Sequence, residues 1–350
     1  MELYTSAGWL DVPGILPGAP PFNIIVGGRG TGKTFGFLEE FRLVNPRPFI
    51  LMRRSQVETD LISNPDFTPF RALDRVRGCT TVIKKLSKYH AGIYNGELNS
   101  DGTVSPAGPL LGYTAALSTL HNVRGFSADE ILDLILDEFN PEKGSNKIPD
   151  EFGTFQNAYE TVNRNRELED PPRPPLRAWL LANSNNLGNP YFIGLGIVEQ
   201  VDKMIRKGIS VWTDEARGLR VIILNNSPIS AAKASTALYR LGGSGTFRDM
   251  ALGNQFSAES RSRTGSLPLR ELLPVVRIGE LQIYRHKSRR QFYGSLHRSG
   301  APETYKTDDA SVARFRSAYG WLWEEYMEDR ILWQTYLPEL LFRKFFGENY

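Results

Sequence analysis

The chain has 350 residues, with 42 lysines and arginines against 39 aspartates and glutamates, a formal net charge of +3. Such a length points to two or more cores, and a charge so near balance excludes bulk polyanion binding while leaving a local basic stripe open. The lone cysteine, Cys79, excludes an intrachain disulfide and a cysteine-rich zinc site and suits a reducing compartment. The four histidines, His90, His121, His286 and His297, have no metal-ligand spacing. No apolar run approaches the roughly 20 residues that span a bilayer, and Met1-Glu2-Leu3-Tyr4 lacks a signal-peptide layout. A cytosolic protein with no membrane partner is expected.

Residues 1–21, rich in Pro and Gly, are expected to wrap the first strand without forming an element. The apolar run 22–26, broken by Asn23, predicts a strand, and 35–44 predicts a helix with Phe37, Leu38, Phe41 and Val44 on one face. Between them lies Gly27-Gly28-Arg29-Gly30-Thr31-Gly32-Lys33-Thr34, the pattern G-x-x-x-x-G-K-[ST] in its strand–loop–helix setting. Glycines there let successive N–H groups turn around phosphate oxygens, and the helix N-terminus adds its dipole. Lys33 is placed to reach the β- and γ-phosphates and Thr34 to ligate Mg²⁺, so ATP and Mg²⁺ are the expected ligands. The helix is expected to stop at Asn45-Pro46, and 49–52 to form a buried strand followed by Arg53-Arg54. Strand, loop, helix, strand is the order of an α/β protein with a parallel sheet flanked by helices.

Over 80–116, short β-like pieces alternate with Asn95-Gly96 and Asp101-Gly102, which read as hairpin turns of an antiparallel appendage. Its Lys84, Lys85 and Lys88 are candidates for a phosphate backbone, with a charged edge that discourages aggregation as the competing reading. The run 131–136 followed by Asp137-Glu138 fits a strand that holds Asp137 toward Mg²⁺ and places Glu138 against the attacking water. Asp133 interrupts that run and is read as the strand's exposed beginning. In the preceding loop, Arg124 can face a neighbouring subunit's nucleotide or DNA, or be an ordinary surface arginine.

A helix over 149–166 presents Phe155, Ala158, Tyr159 and Val162 on its apolar face. On that wheel Arg166 turns inward and Arg164 outward, the placement of an arginine finger supplied in trans, with two surface arginines on a helix end, helped by the dipole, as the competing reading. The strand predicted over 176–182 ends in Asn183, which can register the γ-phosphate or belong to an Asn-rich turn. Further strands are predicted at 209–212 and 219–224, and a helix then loop at 227–262 reads as a linker. Beyond it, strands at 281–284 and 291–293 bracket Arg285, Lys287, Arg289 and Arg290, with Arg298 following. This is either a nucleic-acid patch or a solvated hairpin. Helices over 310–329 and 331–346, the second broken at Pro338, finish the chain, their tryptophans read as core.

These residues resemble the genome-packaging ATPases of small phi29-like tailed bacteriophages. The resemblance rests on residues 27–34, Arg53-Arg54, Leu136-Asp137-Glu138-Phe139 and Glu142-Lys143. It continues through Ser145-Asn146, Ile148-Pro149, Arg164-Asn165-Arg166-Glu167, Asn183 and Asn189-Pro190-Tyr191-Phe192. Arg240-Leu241 through Leu252 and Asn254-Gln255-Phe256 complete it, in order and spacing over roughly 20–260. It implies an ASCE (RecA-like) P-loop ATPase domain at 1–226, a helical linker at 227–262, and at 263–350 a small α+β domain similar to RNase H-like nucleases but without cleavage activity. It also implies a homomeric ring, generally pentameric, docked on the portal of a prohead and translocating double-stranded DNA, in some relatives with a packaging RNA. Arg164 then becomes the trans finger, and Arg124 and Arg166 share its interface. Where the family pattern can carry lysine at 124, this chain has arginine, keeping charge with different donor geometry.

Two other functions stay open at this stage. A full terminase needs clustered metal-binding carboxylates in the C-terminal domain, for which Glu271, Glu280, Asp308, Asp309, Glu324, Glu325, Glu328 and Asp329 are the available acids. A P-loop switch or assembly factor needs no DNA stimulation of its ATPase.

Overall fold

The N-terminal segment forms more than a wrapping: Asp11 accepts a hydrogen bond from the Gly14 N–H and starts a single turn, α1 (Val12–Ile15), whose Val12 and Ile15 enter the core. A computed structural model describes residues 1–122, 129–141, 146–184, 186–225, 227–241 and 263–347. The chain divides into two units, Met1–Asn185 with Met204–Gln255 and Asn186–Lys203 with Phe256–Tyr350. Residues 186–203, which the sequence places within the first domain, thus group with the C-terminal unit.

In the first unit, β1 (Phe22–Gly27) leads through the glycine-rich loop into α2 (Lys33–Glu39), which loosens into a π-helical turn, Glu40–Val44, before Asn45-Pro46. β2 (Phe49–Arg53) is followed by α3 (Gln56–Ile62), started by the reciprocal Ser55–Glu58 capping box, and α4 (Phe70–Arg77). Next come β3 (Thr81–Lys85), β4 (His90–Leu98) and β5 (Val104–Ala116), then β6 (Asp133–Asp137), α5 (Glu151–Asn163) and β7 (Arg177–Ala182). In sequence, α6 (Pro190–Gly194) and α7 (Val198–Lys207) precede β8 (Val211–Asp214), β9 (Leu219–Leu224), α8 (Pro228–Lys233) and α9 (Ala237–Leu241).

Among the described residues the strands form one nine-stranded sheet in the order β3-β4-β5-β2-β6-β7-β1-β9-β8. Its six central strands, β5 to β9 in that order, are parallel, and the edges β3-β4 and β8 run antiparallel. This is the α/β parallel sheet expected. The central strands are buried and largely apolar, with Asn23, Asp133 and Arg220 among their few buried polar side chains. Phe37, Leu38 and Phe41 of the P-loop helix are fully buried, with the Phe37 ring 4.9 Å from Trp179 and Phe41 5.8 Å from Phe49. Each such side chain contributes about 1.5–3 kcal/mol on burial.

Two sequence expectations fail here for packing reasons. Asn95-Gly96 is no turn: it lies within β4 just after an irregularity at Ile93/Asn95, and Gly96 is hemmed in by Thr80, Val82 and Val104, where no side chain fits. Only Asp101-Gly102 turns the hairpin, with Gly102 at φ 82°. Asp133 is not exposed; it is fully buried, paired with Arg47 and Arg177 and accepting from Trp179 Nε1 at 2.7 Å.

The second unit has a five-stranded mixed sheet among its described residues. β10 (Leu272–Ile278), β11 (Leu281–His286) and β12 (Phe292–Ser295) form an antiparallel meander. β13 (Thr304–Tyr305) adds parallel to β10, the helices α10 (Asp309–Tyr319) and α11 (Trp321–Met327) follow, and β14 (Ile331–Trp333) adds parallel to β12 before α12 (Tyr336–Phe345). Residues 331–333 are therefore strand where the sequence suggests helix, and Pro338 breaks nothing. It sits in the first turn of α12, where a backbone N–H has no intrahelical acceptor anyway. Trp333, Phe315, Phe342 and Tyr326 belong to this unit's core. Among the described residues no helix is long and apolar enough to cross a membrane.

Candidate functional site

The glycine-rich loop closes at the carboxyl end of β1. Gly30 (φ 66°) and Gly32 (φ 84°) occupy the left-handed region, which only glycine enters freely. Gly32 is the N-cap of α2 and offers no side-chain acceptor, so the first N–H groups of the helix face the cleft. Thr31 is turned away and hydrogen-bonds the Gly28 carbonyl at 3.1 Å. Lys33 is buried. Its ammonium donates to the Gly27 and Gly28 carbonyls, both at 3.0 Å, and lies 3.3 Å from Asn183 Oδ1.

Burial pulls the Lys33 pKa down to about 8; Asp137 and Glu138 oppose the shift, and the cations Lys233 and Arg29 reinforce it. The native state therefore loses this proton near pH 8, whereas an unfolded chain keeps it to the ordinary lysine value of 10.5. Stability from this group is full above that upper value and is lost as pH falls through about 8.

Sheet order assembles the rest. β7 lies between β1 and β6, so Asn183, just past its end, stands between the P-loop and the acidic pair. Asp137 closes β6 and is buried, and Thr34 Oγ1 donates to its two oxygens at 3.0 and 2.9 Å. Burial raises the Asp137 pKa, with Arg53 pulling the other way. A hydroxyl and a buried carboxylate this close are the hard oxygen donors that Mg²⁺ takes. Glu138 follows at φ 61°, a conformation costing on the order of 1–3 kcal/mol for a non-glycine residue. That backbone is held by the Phe139 N–H on the Leu181 carbonyl, and it throws the carboxylate off the strand into the open.

The cleft has a volume of about 340 Å³ and is lined by the loop from Arg29 to Phe35 with Asp137, Glu138, Ala182 and Asn183. The P-loop candidates from Arg29 to Thr34 and the metal, acid and sensor candidates thus converge, while Gly27 and Gly28 hold Lys33 through their carbonyls.

Two cations that sequence reasoning leaves without a role belong to the same place. Arg53 ends β2, the strand beside β6, and pairs with Asp137 at 3.0 Å and Glu138 at 2.5 Å. Its place at the carboxyl end of a strand beside β6, which the sheet order alone reveals, brings it to the acidic pair. Lys233, the last residue of α8, donates from Nζ to the Arg29 carbonyl at 2.5 Å across a separation of 204 residues, and nothing local in the sequence announces it.

The neighbour Arg54 is structural: it is buried and paired twice with the buried Glu151 at 2.7 Å, anchoring the start of α5.

At the other end of α5 the two arginines separate as the wheel suggests, but by a different route. The helix stops at Asn163, and Arg164 (φ 47°) and Asn165 (φ 56°) turn left-handed. Arg164 is exposed. Arg166 is corrected as an interface residue: only 2% exposed, it donates to the carbonyls of Ile131, Val162 and Asn163 and caps the helix. Arg124 lies outside the described residues, as do Glu142, Lys143, Ser145 and residues 242–262 of the expected linker. The linker's α8 and α9 group with the first unit.

None of the basic candidates lines the cleft. Lys84 and Lys85 lie exposed on the edge strand β3, and Lys88 follows in the turn with its ammonium 4.7 Å from the Tyr89 ring. In the second unit Arg285, Lys287, Arg289 and Arg290 are exposed around the β11–β12 hairpin. Arg290 is paired with Glu325 at 3.0 Å, and Lys287 donates to the Arg270 carbonyl at 2.6 Å.

Residues 97–264 match the family of the podovirus DNA encapsidation protein (Gp16). The DNA packaging protein of Bacillus phage phi29 is 25% identical over 244 residues, 68% of this chain and 63% of that protein. The DNA packaging protein of Bacillus phage B103 is 23% identical over 248 residues, 68% of this chain and 65% of that one. The matched segment is thus under two thirds of the length of these curated relatives.

Two solved structures share the fold. One is the bacteriophage Phi-29 viral genome packaging motor assembly, with TM-score 0.64 at 18% identity over 98% of this chain and 100% of that one. The other is the Phi-28 gp11 DNA packaging motor, with TM-score 0.54 at 17% identity over 97% and 98%. In sequence this chain is thus similar, over 68% of its length, to the DNA packaging proteins of Bacillus phages phi29 and B103, and along nearly its whole length it shares the fold of the two packaging-motor structures.

Proposed function

We propose that this chain is the ATPase subunit of a viral DNA-packaging motor, hydrolysing ATP to drive double-stranded DNA into a prohead. The observation that carries this reading is the convergence of Lys33, Thr34, Asp137, Glu138 and Asn183 on one cleft, in a chain similar to proteins named for DNA packaging.

The P-loop N–H groups and Lys33 bind the phosphates, and Thr34 and Asp137 would hold Mg²⁺, which would supply charge neutralisation of the triphosphate. Glu138 orients the attacking water and takes its proton; the water oxygen bonds to the γ-phosphorus as the bond from that phosphorus to the bridging oxygen breaks, and ADP and phosphate leave. Asn183, within reach of Lys33, registers the γ-phosphate. Arg53 fixes the Glu138 carboxylate, whose backbone leaves it exposed.

In this reading the subunits form a homomeric ring, a pentamer as in the family, and the exposed Arg164 completes a neighbour's site. Arg124 joins that interface. The division is ATPase domain 1–226, linker 227–262 and a C-terminal RNase H-like domain at 263–350 without nuclease activity. Of the C-terminal acids, Glu325 pairs with Arg290 and Arg330, Glu328 with Arg330 and Asp329 with Arg263. Among the described residues no three His, Cys, Asp or Glu side chains gather as metal ligands. Partners are DNA, further copies of the chain, and the portal of a prohead in the host cytoplasm, with packaging RNA a further candidate.

Packaging with purified proheads, ATP and DNA tests the reading. DNA should become nuclease-resistant only while ATP is hydrolysed, and DNA should stimulate the ATPase with a steep salt dependence. An ATPase indifferent to DNA overturns the motor in favour of an assembly switch. Arg164→Ala should keep nucleotide binding and lose about 10³-fold in turnover; normal turnover in that variant overturns the trans finger.

A further inference from the structure

The P-loop is crossed by a second lysine that arrives from the far end of the unit. Lys233 closes α8, and its ammonium reaches the Arg29 carbonyl and lies over the Cα of Gly30. The segment carrying it is fixed to the loop by a relay of short contacts. Tyr4 Oη donates to the Asn225 carbonyl at 2.6 Å, Ser227 Oγ to the Gly8 carbonyl at 3.3 Å, and Pro228 packs on Gly8. The same N-terminal segment donates from Leu10 N–H to the Thr31 carbonyl at 2.9 Å. The position of Lys233 is therefore built, not a chance surface contact.

Three cations, Lys33, Arg29 and Lys233, thus converge on one loop. Burial chiefly loosens the Lys33 proton, and Lys233 and Arg29 add to the effect by repulsion. Such a cluster is unfavourable alone and favourable around a polyanion. Lys33 and Lys233 both rest on peptide carbonyls of the loop's first half, at Gly27 and Gly28 and at Arg29. A phosphate oxygen with full charge is a stronger acceptor than either. The N–H groups of the second half, toward α2, cradle the α- and β-phosphates, so an ammonium over Arg29 and Gly30 lies at the terminal-phosphate end.

We propose that Lys233 is a second phosphate-reading cation, which pairs with the terminal phosphate of a bound triphosphate and so couples its presence to α8. The proposal rests on the P-loop reading above. It makes Lys233 a determinant of ATP over ADP, supplied by the chain segment that leads on toward the second unit. A lysine suits this role because its flexible stem lets a point charge move from a carbonyl to a phosphate without moving the helix far.

The test is calorimetric binding of MgATP and MgADP to wild type, Lys233→Gln, Lys233→Arg and Lys33→Ala. Gln keeps a donor for the Arg29 carbonyl and removes the charge. Lys233→Gln should weaken MgATP about tenfold and MgADP less than about threefold, with Lys233→Arg restoring most of the difference. Lys233→Gln weakening both ligands alike would show a merely structural strut, and leaving both unchanged would remove Lys233 from the site; either overturns the proposal. Lys33→Ala separates the two levels. If it abolishes binding while Lys233→Gln does nothing, the P-loop reading stands and this proposal falls. If wild type binds neither nucleotide, both fall.

Discussion

β6 carries an aspartate at each end, and the two ends behave oppositely. At the amino end Asp133 is fully buried, and its oxygens are taken by Arg47 at 2.8 Å, Arg177 at 3.0 Å and the Trp179 indole at 2.7 Å. At the carboxyl end Asp137 is nearly as buried, but it faces the cleft. Its partners are a hydroxyl, Thr34, and an arginine shared with Glu138. Burial and pairing alone do not distinguish a functional carboxylate from a structural one. What distinguishes them is whether the donors are committed elsewhere in the fold or are groups that bound phosphate and metal also engage.

The comparison breaks most sharply at the residue after Asp137. Glu138→Gln should lower turnover by about 10²–10⁴ while ATP affinity stays within a few-fold, since the amide cannot take the water's proton. Turnover within tenfold of wild type would move the base elsewhere.

The two aspartates themselves come next. Asp133→Ala strands Arg47 and Arg177 in the interior and should cost about 3–5 kcal/mol in urea unfolding. Asp137→Asn should change stability by less than about 1 kcal/mol, because it also removes a carboxylate whose charge burial disfavours, yet it should abolish Mg²⁺-dependent hydrolysis. Equal losses of stability at the two positions would erase the distinction.

The smallest effect concerns Lys33. With its pKa near 8, nucleotide affinity should fall about tenfold from pH 7 to pH 9 as the ammonium is lost, read by equilibrium binding. Lys33→Arg, which does not titrate there, should flatten that profile, and a slope unchanged in it would assign the titration to another group.

The same contrast separates what was legible in the chain from what was not. Gly27 to Thr34 could be read directly because cradling a phosphate takes consecutive N–H groups and one lysine, all within a single turn of chain. Asp137-Glu138 and Asn183 were legible because an apolar strand ending in polar residues marks a carboxyl edge. The outward Arg164 followed from helical spacing, even though the helix stops before it. By contrast, Arg53 and Lys233 reach the site only through the sheet order and the return of α8, over separations that no local pattern records. Arg166 and Asp133 took the wrong role or the wrong exposure for the same reason: a buried charge is tolerated where distant groups supply its partners, here carbonyls of 131, 162 and 163 and the side chains of Arg47 and Arg177. Sequence by itself determined the chemistry of the cleft, because that chemistry is written in contiguous residues. Tertiary structure alone decided which of the chain's many arginines and lysines face that cleft, because a long cationic side chain is placed by whatever its neighbours leave to be paired.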